Sequence, residues 1–308
     1  MKRFICTVTV LLALCAPVHA EDSGLSMDEA MDIILAHHGV ETEMDVSSYL
    51  TLDAETMTRE AAVTAVVRSF GVYPEDEPDH VWADEAEQGE QYRPYIDYAK
   101  RMGITEGVGG NRFAPARPVT EVELRTMLAR ADGIVPEYPL AYDSPICKLL
   151  SADIQRGLSL VPDYLVSSYY ADGRTITATT NPIVRDDGIV LSDQYAGWIW
   201  YDGDMFVAVT YNGIPYSCQY VTVIHELGHY LGCRTSLLNR NTVPRELDWM
   251  MDYYRDYCNK SDHEFMAESF VAYILWPDEM AANAPTVYRH IETCLHEMKS
   301  DLEETNYE

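Results

Sequence analysis

Basic residues are scarce in this chain. Lys and Arg number 22 against 50 Asp and Glu, a formal net charge of −28 over 308 residues. A surface of that sign repels phosphate backbones, so the composition argues against a nucleic-acid partner. Long apolar runs are missing as well. The one candidate, Phe4 to Leu14, is about half of the roughly 20 residues a bilayer span requires. No transmembrane segment is therefore expected. Cysteine is too sparse and too uneven for a disulfide framework: beyond residue 20 there are five, Cys147, Cys218, Cys233, Cys258 and Cys294. A domain of this size does not depend on bridges, and an odd count leaves at least one thiol free. Cys218 and Cys233 do not suit each other, because a helix between them holds their α-carbons about 20 Å apart, against a limit near 7 Å.

The first 20 residues read as a signal peptide. Lys2 and Arg3 form a charged start, Phe4 to Leu14 an apolar centre, and Val18-His19-Ala20 a small-residue cleavage site before Glu21-Asp22. Leu14 before Cys15 is too large for the usual lipoprotein signal. The expected product is secreted, with 288 residues and a charge moved from −28 to −30 by loss of Lys2 and Arg3.

Residues 22–135 read as a small helical domain. Ser26-Met27-Asp28-Glu29 and Thr120-Glu121-Val122-Glu123 are capping boxes, in which a hydroxyl and a glutamate satisfy each other's free backbone donors. Further helices are expected at about 58–70, 92–102 and 120–131. The start Met57-Thr58-Arg59-Glu60-Ala61 recurs 62 residues on as Val119-Thr120-Glu121-Val122-Glu123. Between the copies lie Tyr95-Ile96-Asp97-Tyr98-Ala99, Gly103-Ile104, and Asn111-Arg112-Phe113-Ala114-Pro115. This order resembles the S-layer homology module over roughly residues 50–135. The resemblance implies a cell-wall polysaccharide partner, with Arg59 at the family's Thr-Arg position as the binding residue. The second copy departs from that pattern, with Glu121 where arginine would stand. The alternative is a helical domain that only packs on the C-terminal half of the chain.

Pro136 to Tyr142 has little pattern and marks the expected boundary to a second domain, residues 143–308. There the spacing predicts a helix over 145–158, strands at 175–179 and 188–191, and a hairpin of 197–201 with 205–211 turning at Asp202-Gly203. The last strand of this sheet is expected to offer its edge to an extended substrate. Helices are expected at 244–254, 262–275 and 286–302.

Residues 221–232 carry the chemistry, Val-Thr-Val-Ile-His-Glu-Leu-Gly-His-Tyr-Leu-Gly. His225 and His229 are four apart, so on a helix they differ by only about 40° in direction and share a face. Two imidazoles there, with one further ligand, leave a tetrahedral zinc one position for water. Glu226 lies about 100° round from His225, placed to take a proton from that water. Ser217 is the expected N-cap and Gly232 the expected stop. A third histidine is absent at the position some zinc sites use, which is Thr235. Glu264 and Glu268 offer the other solution, four apart on an apolar helix where unpaired carboxylates are costly. Glu264 is assigned to the metal and Glu268 to the orientation of a ligating histidine. His263 is the rival ligand, but it points off that face.

Together, His-Glu-Leu-Gly-His and Glu-Phe-Met-Ala-Glu-Ser-Phe resemble the anthrax lethal factor peptidase domain and the secreted Pro-Pro endopeptidases, over roughly residues 145–305. The resemblance implies an α+β, zincin-type metallopeptidase domain, with a small sheet, an active-site helix and a helical C-terminal part, following the S-layer-like domain. It implies zinc on His225, His229 and Glu264, Glu226 as general base, and Tyr257 as oxyanion donor, seven residues before the ligand glutamate. The expected function is a secreted, cell-wall-associated zinc endopeptidase acting on protein or peptide substrates. The competing expectation is a non-catalytic cell-surface binding protein that retains a peptidase fold.

Overall fold

A computed structural model describes residues 24–74, 81–184, 190, 196–199, 203–254 and 256–305. The expected signal peptide, most of the expected 188–191 strand and the Asp202 turn position lie outside the described residues. The chain is mixed α and β. Its first part has helices α1 (Met27–His38), α2 (Ser47–Thr51), α3 (Arg59–Ser69), α4 (Arg93–Arg101) and α5 (Glu121–Ala131). Both capping boxes close, Glu29 on Ser26 and Glu123 on Thr120, and Thr58 caps α3. The two copies of the repeat meet at their helix starts. Arg59 donates its backbone N–H to Arg117 O at 2.8 Å, and Val119 to Met57 O at 3.3 Å, so the capping residues lie side by side.

The expected linker contributes strand β1 (Ala141–Tyr142). The helix expected over 145–158 is two, α6 (Pro145–Leu149) and α7 (Ala152–Leu160). Ser151 separates them: its hydroxyl donates to Lys148 O at 2.9 Å, offering the backbone an alternative to helix. Helix α8 (Asp163–Ala171) follows, in a stretch where the sequence pattern did not predict one.

A four-stranded sheet orders β1, β2 (Ile176–Thr179), β4 (Met205–Ala208) and β3 (Gly197–Ile199). β1 and β4 run parallel to β2; β3 runs antiparallel to β4, pairing Trp198 with Phe206. Among the described residues the edge strand on that side is β3, not the last strand as expected, because β4 is enclosed between β2 and β3. The expected 205–211 strand also divides. Its end, β5 (Thr210–Tyr211), forms a separate hairpin with β6 (Ile214–Pro215) through Asn212-Gly213, both at positive φ. Asn-Gly is a strong signal for such a turn.

Helices α9 (Gln219–Arg234), α10 (Pro244–Tyr253), α11 (Asp262–Leu275), α12 (Pro277–Asn283) and α13 (Pro285–Thr305) complete the chain. α9 is capped by Cys218 without a side-chain hydrogen bond, so Ser217 is not its cap. Nor does Gly232 end it. A Cβ there would lie 2.8 Å from Leu237 Cδ2 and 2.9 Å from Met266 Cγ, so its smallness serves packing against α11. One hydrophobic core runs from α1 to α13 through both halves. Cys147, Cys258 and Cys294 are buried thiols, and Cys218 and Cys233 are exposed. No helix of the described residues is long and apolar enough to cross a membrane.

Candidate metal centre

The site forms where α9 crosses α11. Val223, Ile224, Leu227 and Leu231 bury one side of α9 completely, which turns the adjoining His225–His229 stripe toward the wall of a cleft. The two rings stand nearly perpendicular, centroids 4.7 Å apart. Gly228, between them, sets the helix spacing. A Cβ at this position would lie 2.8 Å from Ala267 Cα, so any larger residue would force α9 away from α11. On α11, Ser261 caps the helix and accepts from Glu264 N at 3.1 Å, fixing Glu264 in the first turn.

The result is convergence. Ligand atoms of His225, His229 and Glu264 all lie within 4.8 Å of one another. Glu264 Oε2 is 3.3 Å from His225 Nε2 and 3.5 Å from His229 Nε2. That oxygen is shielded from solvent and takes no hydrogen bond. One turn further along α11, Glu268 is fully buried, and its Oε1 lies 3.0 Å from His225 Nδ1. A carboxylate there favours a proton on Nδ1, so that the Nε2 facing Glu264 is the nitrogen that would give up its proton to a metal ion. Two imidazole nitrogens and a desolvated carboxylate oxygen aimed at one point are the donor set of a His2Glu zinc site, and they fit that ion.

Protons partly stand in for a cation in the charge balance. Burial disfavours the His225 imidazolium, but Glu264 and Glu268 outweigh it and raise the pKa to about 10. Burial likewise acts to raise Glu264; the two facing imidazoles reverse this and hold it well below the usual carboxylate range. Glu226 is raised, by burial first, with the neighbouring carboxylates reinforcing it against the pull of both histidines.

Glu226 reaches the cleft beside strand β3. A Cβ on Gly197 would lie 2.8 Å from Glu226 Oε1, so glycine leaves that carboxylate its room. Tyr257 sits on a single 3-10 turn, Asp256–Asn259, before α11. Its hydroxyl approaches Glu264 Oε1 at 3.5 Å, and Lys260 Nζ lies 3.6 Å from its ring centroid. Burying Cys258 in the core explains the thiol next to it. His263 lines the same cleft but is outside the three-residue cluster. Asp262 is held by Arg240 Nη1 at 2.7 Å, away from the cluster. The cleft has a volume of about 240 Å³. Its wall includes Trp198, Tyr230 and Arg174, which sequence reasoning did not single out. Trp198 was findable from its place on the expected hairpin; Arg174 had no signal, because a lone arginine before a strand has no pattern.

Arg59 faces inward. It is 5% exposed, donates from Nη2 to Thr105 Oγ1 at 2.7 Å and from Nη1 to Glu123 Oε1 at 3.2 Å, and lies over the Phe113 ring. Its visible role is to tie α3 to the turn and helix of the second copy.

Residues 88–122 match the S-layer homology domain, a stretch that holds α4, the buried Phe113 turn and the start of α5 but not Arg59. Such domains commonly bind cell-wall polysaccharide, an association with the cell surface. No curated protein and no solved structure matches the chain.

Proposed function

We propose that this chain is a zinc-dependent endopeptidase of the zincin type, similar to the lethal factor and Pro-Pro endopeptidase domains. The observation that carries the proposal is the convergence of His225 Nε2, His229 Nε2 and the desolvated Glu264 Oε2, supplied by two helices of the chain. Zinc held by those three atoms would activate a water molecule and polarise the scissile carbonyl. Glu226 takes the proton of the attacking water on its carboxylate and delivers it to the leaving amine. Burial raises its pKa above the ordinary carboxylate value, which makes it a stronger base toward the water proton. Glu268 keeps the His225 proton on Nδ1 and so keeps Nε2 turned to the centre. Tyr257 donates its hydroxyl to the carbonyl oxygen as charge develops there. Export to the cell wall completes the reading, supported by the S-layer homology match.

That match also favours a second reading, a cell-surface binding protein whose peptidase-like half is not catalytic. One experiment separates the two. Metal analysis of the purified full chain, followed by digestion of a peptide library, should give about one zinc per chain and defined cleavage products. Glu226→Gln should keep the zinc and lose nearly all turnover. A chain that binds no zinc, or a zinc-loaded Glu226→Gln variant as active as the parent, overturns the peptidase reading.

A further inference from the structure

Tyr257 reaches the cleft from a short segment whose geometry brings one cation onto its ring. The turn Asp256–Asn259 is 3-10, with three residues per turn, so side chains three apart stand over one another. Lys260 N donates to Tyr257 O at 3.1 Å and closes that turn. Cys258, fully buried, anchors the turn in the core, and Ser261, capping α11, fixes its far end. Lys260 Nζ is thereby set 3.6 Å from the Tyr257 ring centroid. Lys100 and Lys148 also lie over rings, those of Trp82 and Phe70, but at 5.3 and 5.8 Å. The chain has a formal charge of −28, yet no carboxylate among the described residues pairs with the Lys260 ammonium. Its partner is the ring. That ring lines the cleft, its centroid 6.1 Å from that of His225 and its hydroxyl 3.5 Å from Glu264 Oε1.

We infer that Lys260 is a positioning residue, which acts on the reaction through Tyr257. This rests on the peptidase reading, in which the Tyr257 hydroxyl meets the developing oxyanion, and adds to it a residue outside the cleft lining. Two effects of the ammonium act together. Attraction to the ring face holds the phenol in one orientation in the cleft. Positive charge beside the ring also favours negative charge near the phenol oxygen, which strengthens its O–H as a donor to the oxyanion. An exposed lysine loses rotamer freedom in such a contact, so its worth lies at the low end of the scale for a cation on a ring.

The test begins with the zinc-loaded full chain and one cleaved peptide. Lys260→Met keeps the aliphatic stem and removes the charge. It should lower kcat by roughly 2- to 5-fold, the scale of an exposed cation–ring contact, with KM and zinc content unchanged. Lys260→Arg should keep most of the rate, since a guanidinium also sits on an aromatic face. The Lys260→Met change made in Tyr257→Phe protein should cost nothing further, because the hydroxyl through which the cation acts is gone. A residue that only supported the fold would lower both backgrounds alike. NMR of the lysine ε-methylenes reads the contact without turnover: the Tyr257 ring should move the Lys260 signal upfield, and Tyr257→Ala should return it. A parent that cuts no peptide overturns the peptidase reading, and this inference falls with it. An active parent beside a Lys260→Met variant that is equally fast, equally slowed in both backgrounds, or changed in KM alone overturns this inference only. So does a Lys260 signal that the ring leaves unshifted.

Discussion

Two clusters of buried charge can be compared within this one chain. In the first, Arg68 of α3 is 1% exposed and has every donor group in use. Nε donates to Tyr49 O at 2.9 Å, Nη1 to the Tyr95 hydroxyl at 2.8 Å and Nη2 to Asp153 Oδ2 at 3.0 Å. The Tyr49 ring lies 4.3 Å beneath the guanidinium, and its hydroxyl accepts from Asp153 N. This network joins the S-layer-like half to α7, and nothing in it is left for a guest. In the second, Glu264 Oε2 is desolvated without a donor, and two imidazole nitrogens face it. An orphan atom alone does not mark a site, since Arg59 Nε is also buried without a partner. Convergence makes the difference. Several ligand atoms of complementary type, aimed at one point, describe a place for a cation, whereas a closed network describes a joint.

Substitutions can break or sharpen that contrast. The largest effect is expected for Glu264→Ala, which removes a ligand and leaves two histidines. Bound zinc should fall from about one per chain to near zero, with the fold retained by circular dichroism. Zinc kept in that variant but lost on changing His263 or Asp262 would reassign the third ligand. Arg68→Ala should cost about 3–5 kcal/mol in chemical denaturation, because Asp153 is left buried and unpaired. Replacing Arg68 and Asp153 together by Met and Leu should recover most of that loss, as expected of a joint without another function. A single variant within about 0.5 kcal/mol of the parent would deny the network its structural role.

Tyr257→Phe should leave zinc bound and lower turnover by roughly 10²- to 10³-fold, the scale for losing one oxyanion donor. Equal loss of zinc and activity would show the hydroxyl acting through Glu264 instead. The smallest effect belongs to Glu268→Ala, which keeps all three ligands and removes only the group that orients His225. Titration with a competing chelator should show zinc affinity weakened by about 10- to 100-fold. A complete loss would promote Glu268 to a ligand.

Local rules made much of this molecule legible. The Ser26 and Thr120 capping boxes close as their spacing requires, and α11 spans Asp262–Leu275, the helix the apolar run implies. His225 and His229 share a face because helical geometry leaves no alternative at that separation. Where a residue's meaning depended on what it packs against, the local rule misled. Gly232 has the composition of a helix stop but is a close-packing residue against Leu237 and Met266. Ser151 interrupts a stripe of apolar positions that continues unbroken through the break.

The sequence by itself determined two imidazoles on one helix face, a base beside them and two carboxylates one turn apart on another helix, since these follow from a period of 3.6 residues. Only the tertiary structure decided that the faces meet. Gly228 allows the backbones of α9 and α11 close enough for Glu264 Oε2 to reach both histidines. Edge and centre in the sheet, the inward turn of Arg59, and the arrival of Arg174 in the cleft were decided the same way. Each is a relation between segments distant in the chain, set by which surfaces exclude water together, and no periodicity within one segment encodes it.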